Sequence, residues 1–351
     1  MNVMHRRIHR GSFLVLILLV AAACSSPASN APSPTANTPA ASAATSTPTP
    51  TTAPATASPA TPTPTLTVLP TNATISAPSG DVVWMFVGGT RLFRSLDRGN
   101  TWAERGLPAG ARSGEVTFAS DRDGLFVQTS GQCAAQQLSI WATHDGASTW
   151  ELIAAQGIAD ARCKSRPSLI DSQHAFLVAS DDTAAPGAPA IYASADGGRT
   201  WTVSRALPNP TGFKITGPGD ALLPGLVRGF GSTLLLDVFG QQTGAGAQFA
   251  YRSVDGGASW TYASTAPITQ PRIAFVTANR WLQISSPNDS PETTDGGATW
   301  HAYTTDYQQA AGVAPQIVFG DANVGYATVR GALQRTVDGG AHWTSLRTPG
   351  T

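Results

Sequence analysis

Charged residues make up only 13% of this 351-residue chain, and the segment 25–80 contains none. Glutamate occurs four times, at Glu104, Glu115, Glu151 and Glu292, and cysteine three times. The apolar run Phe13–Ala23 is 11 residues long, short of the roughly 20 that span a bilayer. Composition therefore excludes a polytopic membrane protein, and equally a collagen or a coiled coil. From Asp81 onward 19 basic residues stand against 22 acidic ones, so there is no excess of Lys and Arg to neutralise phosphates and nucleic acid is not an expected partner. A phosphate-cradling loop, HExxH, a nucleophile elbow and CxxC are all missing. The four histidines after residue 81 (His144, His174, His301 and His342) lack ligand spacing. No metal and no cofactor is expected.

What is present begins with an address. Arg6, Arg7 and Arg10 precede the apolar run and small residues close it, the pattern of a secretory signal over 1–24. Ala21-Ala22-Ala23 leads straight into Cys24, and this stretch resembles the cleavage box of bacterial lipoproteins, with Ala21 where leucine is usual. The resemblance implies lipidation of Cys24 and an extracytoplasmic, membrane-anchored protein; the alternative is an ordinary signal peptide cut nearby. Residues 25–80 hold 12 of the 26 prolines, 14 threonines and 13 alanines. Such a composition buries too little apolar surface to repay ordering, so 25–64 is read as an extended stalk carrying a head at 65–351.

The head is built on a repeat. SLDRGNTW (95–102), THDGASTW (143–150), SADGGRTW (194–201), SVDGGASW (253–260), TTDGGATW (293–300) and TVDGGAHW (336–343) share one pattern. Their aspartates lie 48, 51, 59, 40 and 43 residues apart, the length of a propeller blade. These motifs resemble Asp boxes, and the head is similar to the Asp-box (BNR-repeat) β-propellers. That group includes sialidases, sortilin-type receptors, xyloglucan-cleaving glucanases and photosystem II assembly factors. The resemblance implies an all-β propeller of four-stranded antiparallel blades, six in number with seven as the alternative, each with its Asp box at the turn between the third and fourth strands.

In that turn the Asp accepts amide hydrogen bonds, glycine supplies a left-handed backbone angle and the Trp returns to the core. Asp97, Trp102, Asp145, Trp150, Asp196, Trp201, Asp255, Trp260, Asp295, Trp300, Asp338 and Trp343 are therefore read as structural. Ala147 stands where the other five motifs have glycine, which predicts a strained or altered turn. Four residues before each box aspartate stand Phe93, Trp141, Tyr192, Tyr251, Pro291 and Gln334, a packing column in which Tyr192 and Tyr251 are core residues rather than nucleophiles. The first blade starts at its second strand, Val82–Val87, and its innermost strand is expected within Thr65–Ser76.

Loops between second and third strands fall on the rim opposite the boxes. They are short at Gly88-Gly89 and Arg330-Gly331 and longer at Ser130–Gln137, Ser180–Ala188, Gly240–Ala247 and Ser286–Ser290. Their neutral polar content suits a protein or glycan ligand. With Cys24 taken by lipid, Cys133 in one of these loops and Cys163 in the following connector share a face and are expected to form a disulfide. The expectation is a monomeric surface lipoprotein with a non-catalytic binding head and no catalytic residues assigned. The rivals are a sialidase-like glycoside hydrolase and an assembly factor for a membrane complex. The sialidase resemblance implies an Arg-Ile-Pro signature, an arginine triad and a Tyr–Glu pair. The nearest string here is Arg272-Ile273-Ala274, which reads as an innermost strand, and no facing carboxylate pair near the ring axis can be named from the sequence. Ile317–Gly320, Val324-Gly325-Tyr326 and the last box resemble the assembly-factor repeat, and the stalk departs from it.

Overall fold

The computed structural model describes residues 73–158, 162–180, 189–217, 219–242, 245–285, 288–307, 316–329 and 332–349. The signal segment with Cys24, the stalk 25–64, most of the Ser180–Ala188 loop and the Arg330-Gly331 turn lie outside these residues.

Six antiparallel sheets of four strands each follow one another along the chain, so the head is a six-bladed β-propeller rather than a seven-bladed one. The innermost strands, in blade order, are Thr74–Ser76, Glu115–Phe118, Cys163–Leu169, Ala221–Phe230, Ala274–Phe275 and Ile317–Phe319. The first blade's innermost strand thus falls within the expected stretch, at Thr74–Ser76. Burial follows from stacking sheet against sheet. Second strands such as Val83–Val87 and Ala175–Ser180 are covered on both faces and read as unbroken apolar runs. Fourth strands such as Ala103–Arg105 and Thr202–Val203 lie at the periphery and are largely exposed.

Six apolar clusters fill the six interfaces between neighbouring blades, and each takes in one repeat tryptophan. That residue packs on the preceding blade: Trp150 Nε1 donates to the Gly106 carbonyl of blade 1 at 2.9 Å, and Trp300 Nε1 to Ser264 Oγ of blade 4 at 3.0 Å. Arginines on third strands staple blades in the other direction. Arg94 donates to the Asp121 carbonyl of blade 2 at 2.7 Å and Arg252 to that of Ala278 in blade 5 at 3.0 Å.

The ring closes without strand exchange, because each blade is made from one continuous segment. Gln316 of blade 6 instead exchanges two hydrogen bonds with the backbone of Ile75 in blade 1. Its Oε1 accepts the Ile75 N–H at 2.8 Å and its Nε2 donates to the Ile75 carbonyl at 3.0 Å. Tyr326 Oη donates to the Gly80 carbonyl at 3.1 Å, Trp102 Nε1 to that of Arg347 at 3.1 Å, and Arg335 to that of Arg98 at 2.6 Å.

One expected loop is not a loop. Over Gly240–Ala247 the second and third strands of blade 4 continue as Thr233–Gln242 and Ala245–Ser253, paired as far as Gln242 with Ala245. Gly240 and Gly246 read as turn residues in the sequence, yet they make room for rings. A Cβ on Gly240 would meet Phe249 and Phe213, and one on Gly246 would sit 2.8 Å from Phe239.

Candidate functional site

In a propeller the innermost strands line an axial channel, and here one group of charged residues gathers toward their starting ends. Glu115 opens the innermost strand of blade 2 and Arg272 stands two residues ahead of that of blade 5. Two β-bulges add the rest. In blade 3 the register slips between Phe176 and Val178, and Arg166 sits in the slip with φ +53°, a left-handed angle unusual outside glycine. In blade 4 the slip falls between Pro224 and Val227, opposite Asp237 of the second strand. Gly225 has no side chain there, and a Cβ would collide with the Asp237 carboxylate.

Each bulge presents a backbone N–H to a carboxylate. The Arg166 amide donates to Glu115 Oε2 at 3.0 Å, and the Leu226 amide to Asp237 Oδ1 at 3.2 Å. Asp237, 6% exposed, also accepts from Arg272 Nη1 at 2.6 Å. A buried carboxylate with two such donors is fixed in place. The Glu115 side chain is open to the channel yet walled in by protein, and that burial pushes its carboxyl up, against the pull of the Arg166 amide and charge. Burial likewise lowers Arg166, helped by the like charge of Arg272 and opposed by Asp237 and Glu115. Two acids from blades 2 and 4 and two arginines from blades 3 and 5 thus act on one another around the channel.

A cavity of about 250 Å³ opens here, lined by Thr74, Phe86, Glu115, Pro167, Leu226 and Gln316 among others. Its rim is tied down. Cys133, in a short 3-10 turn between the second and third strands of blade 2, is joined to Cys163, the first residue of blade 3's innermost strand. The closed loop of 30 residues corresponds to roughly 3–4 kcal/mol of stabilisation. Beside it Gln136 accepts from the Lys164 amide at 2.7 Å and donates to its carbonyl at 3.5 Å.

The repeat aspartates lie at the opposite end of the blades, and their oxygens are engaged locally. In each turn one oxygen takes the amide of the residue four positions on and the other takes that residue's side chain. For Asp295 and Thr299 the distances are 2.9 and 2.6 Å. His342 does the same for Asp338 through its amide at 2.9 Å and Nδ1 at 2.6 Å. The Ser or Thr that opens each motif is a second hub. Thr293 donates to Asp295 at 2.8 Å and accepts the Gly297 amide at 2.9 Å. Ala147 adopts φ +62°, so its turn keeps the glycine conformation under strain. Tyr192 and Tyr251 are buried, and Tyr251 donates to the Pro208 carbonyl at 2.6 Å. Glu104, Glu151 and Glu292 lie on outer strands and pair with Arg91, Arg199 and Arg280. Among the described residues no three His, Cys, Asp or Glu side chains converge to hold a metal.

No carboxylate pair near the axis is legible in the sequence; in the structure Glu115 and Asp237 both act on Arg166. Two local signals point to Asp237: its place as a lone aspartate inside the apolar run Leu234–Phe239, and Pro224-Gly225, a sign of a bulge in the strand that faces it.

No protein-family model matches the chain, and no curated protein does. Solved structures similar to it include YCF48 bound to D1 peptide, at 17% identity over 81% of this chain and 88% of that one, TM-score 0.45. A GH74 enzyme from Niastella koreensis matches at 16% over 77% and 46%, TM-score 0.46, and the Hadza microbial sialidase Hz136 at 16% over 77% and 66%, TM-score 0.47. Likeness of this degree carries no functional argument. The class defined by the chain's own fold is the six-bladed β-propeller.

Proposed function

We propose that the chain is a surface lipoprotein, anchored through Cys24, whose propeller head is a non-catalytic module binding a protein or glycan on the face that holds the channel mouth. The observation that carries this reading is the mixed-charge ring of Glu115, Arg166, Asp237 and Arg272 beside a rim fixed by a disulfide. Asp237 is committed to Arg272 and to a backbone amide, an arrangement that shapes a surface and leaves little capacity for proton transfer. The cavity of about 250 Å³ lies just below the usual range for pockets that swallow a whole small molecule. It suits one sugar or one side chain of a larger ligand resting on the face.

Full-length protein with Cys24→Ser, screened on a glycan array and by cross-linking to envelope proteins, tests the reading. Saturable binding that falls at least tenfold in Glu115→Lys, with the melting temperature kept, supports it; binding indifferent to that change refutes it.

Glycoside hydrolysis is the second reading, favoured by the raised Glu115 carboxyl and by Asp237, a second carboxylate that acts on the same Arg166. Turnover of fluorogenic glycosides abolished by Glu115→Gln would establish it in place of the first.

A further inference from the structure

Arg228 spans the other end of the channel. It lies on the innermost strand of blade 4, two residues before that strand ends, and its Nη2 donates at 2.6 Å to the Phe319 carbonyl at the end of blade 6's innermost strand. Blade 5 stands between these two in the ring, so the side chain is a crossbar and not a neighbour-to-neighbour staple. Among the described residues that carbonyl is its one hydrogen-bond partner, and no carboxylate pairs with it.

Against Arg228 lies a chamber of about 100 Å³, walled by the innermost strands of blades 1, 2, 3, 4 and 6. Its exposed wall is more polar than apolar, with Ile75, Phe118, Leu169, Val227 and Val318 belonging to the packed clusters behind it, and no Asp or Glu lines it. Ser76, Thr117 and Ser168 supply hydroxyls. Ser168 Oγ already accepts the Val227 amide at 2.9 Å, which leaves its proton to be donated elsewhere. Ile75, Ser76, Thr117 and Leu226 also line the mouth cavity, so the chamber is the next widening along the channel.

The chemistry of this place is one-sided. A guanidinium does not lose its proton inside a protein, and an unpaired buried charge is strongly unfavourable. Protein surrounds Arg228, with partial exposure where the chamber meets it, and burial alone pushes its pKa down. No acid is near enough to offset that. The lining side chains bring a guanidinium and hydroxyls but no carboxylate, around a space wider than a single water.

We propose that this chamber binds one small monovalent anion, of halide or formate size, held by the Arg228 guanidinium and the Ser168, Ser76 and Thr117 hydroxyls. The anion neutralises the crossbar and ties blades 1, 2, 3 and 4 together at the channel's far end. One charge on the protein matches one on the ion, and the chamber's size excludes a bulky organic ligand.

The test uses the full chain with Cys24→Ser in a gluconate buffer, titrated with bromide, formate or sulfate while the melting temperature is followed. Arg228→Met is run in parallel, so that general salt effects cancel. Bromide and formate should raise the wild-type melting temperature saturably, with half-saturation in the millimolar range, and leave Arg228→Met on the shared baseline. Sulfate should act alike on both. Ser168→Ala should weaken bromide several-fold. Parallel bromide titrations of wild type and Arg228→Met would overturn the proposal. Should Arg228→Met fail to fold, anomalous diffraction from bromide-soaked wild-type crystals decides: a peak within hydrogen-bond reach of Arg228 supports the site, and a chamber holding only water refutes it.

Discussion

At the scale of single residues, the six repeat aspartates do the same work in six places, and their titration exposes it. For Asp97, Asp145, Asp255 and Asp295 the hydroxyl four residues on is the main influence, and each carboxyl lies below its ordinary value of 3.8. Asp255 and Asp295 are held at about 2. Burial is the largest influence on Asp196 and Asp338 and acts upward, but the bonds from Thr200 and His342 outweigh it, leaving Asp196 at about 2. A carboxyl depressed by folding stabilises the fold above its unfolded value and loses that contribution as pH falls through the folded one. The head should therefore be insensitive to these groups above pH ~5 and lose stability steeply between pH ~4 and ~2. Thermal melts followed by near-UV circular dichroism across that range check it. Asp255→Asn should melt lower than wild type at pH 7, and the gap between the two should narrow toward pH 2. His342 has the opposite sign: its Asp338 partner raises it, so its contribution is complete below the ordinary histidine value and fades on the alkaline side.

At the scale of the element, the turn tolerates a side chain only where the preceding blade leaves space. Ala147 is 1% exposed and packs in the cluster that holds Trp84 and Leu92. Replacing it with glycine relieves a left-handed angle worth about 1 kcal/mol and removes a methyl worth about 0.8, so Ala147→Gly should be neutral to within ~1 kcal/mol. Gly257→Ala, at the matching place in blade 4, would set a Cβ 2.6 Å from the Phe176 ring at φ +89°. Strain and overpacking then add, and a loss of about 2–4 kcal/mol in urea denaturation is expected. A neutral Gly257→Ala would show that the turn shifts freely between blades. These turns were legible in the sequence because Asp, Gly and Trp recur at fixed offsets, as the blade spacing does. The long hairpin of blade 4 was not: Gly240 and Gly246 answer to Phe249, Phe213 and Phe239, contacts that local composition does not encode. Arg166, Asp237 and Arg272 escaped for a related reason. They stand on three blades, and Asp237 meets Arg272 only because a bulge at Gly225 opens the inner strand.

At the scale of the whole molecule, the question is what keeps a ring shut when no blade is shared between the two ends of the chain. The innermost strand of blade 1 is three residues long and pairs with blade 1's second strand through Trp84, Met85 and Phe86. Its other side faces blade 6, where the side-chain amide of Gln316 takes the place of a backbone and satisfies both the N–H and the C=O of Ile75. Apolar packing also joins the two blades, with Ile75, Val318 and Leu346 in one cluster. The two contributions separate by chemistry. Gln316→Ala leaves the apolar cluster whole but strips both hydrogen bonds, each worth about 1 kcal/mol net and more where a buried partner is left unpaired. Gln316→Glu retains an acceptor for the Ile75 amide and sets a carboxylate against the Ile75 carbonyl. If the amide is the latch, Gln316→Ala should cost about 2–3 kcal/mol, Gln316→Glu at least as much at neutral pH, and both should hasten hydrogen exchange at the Ile75 amide far more than at Phe176 on the other side of the ring. Equal exchange at the two amides would mean that packing alone closes the propeller. Because Gln316 also lines the mouth cavity, the same variants report whether closure sets the shape of the binding face: a latch that fails should weaken ligand binding in step with Ile75 exchange.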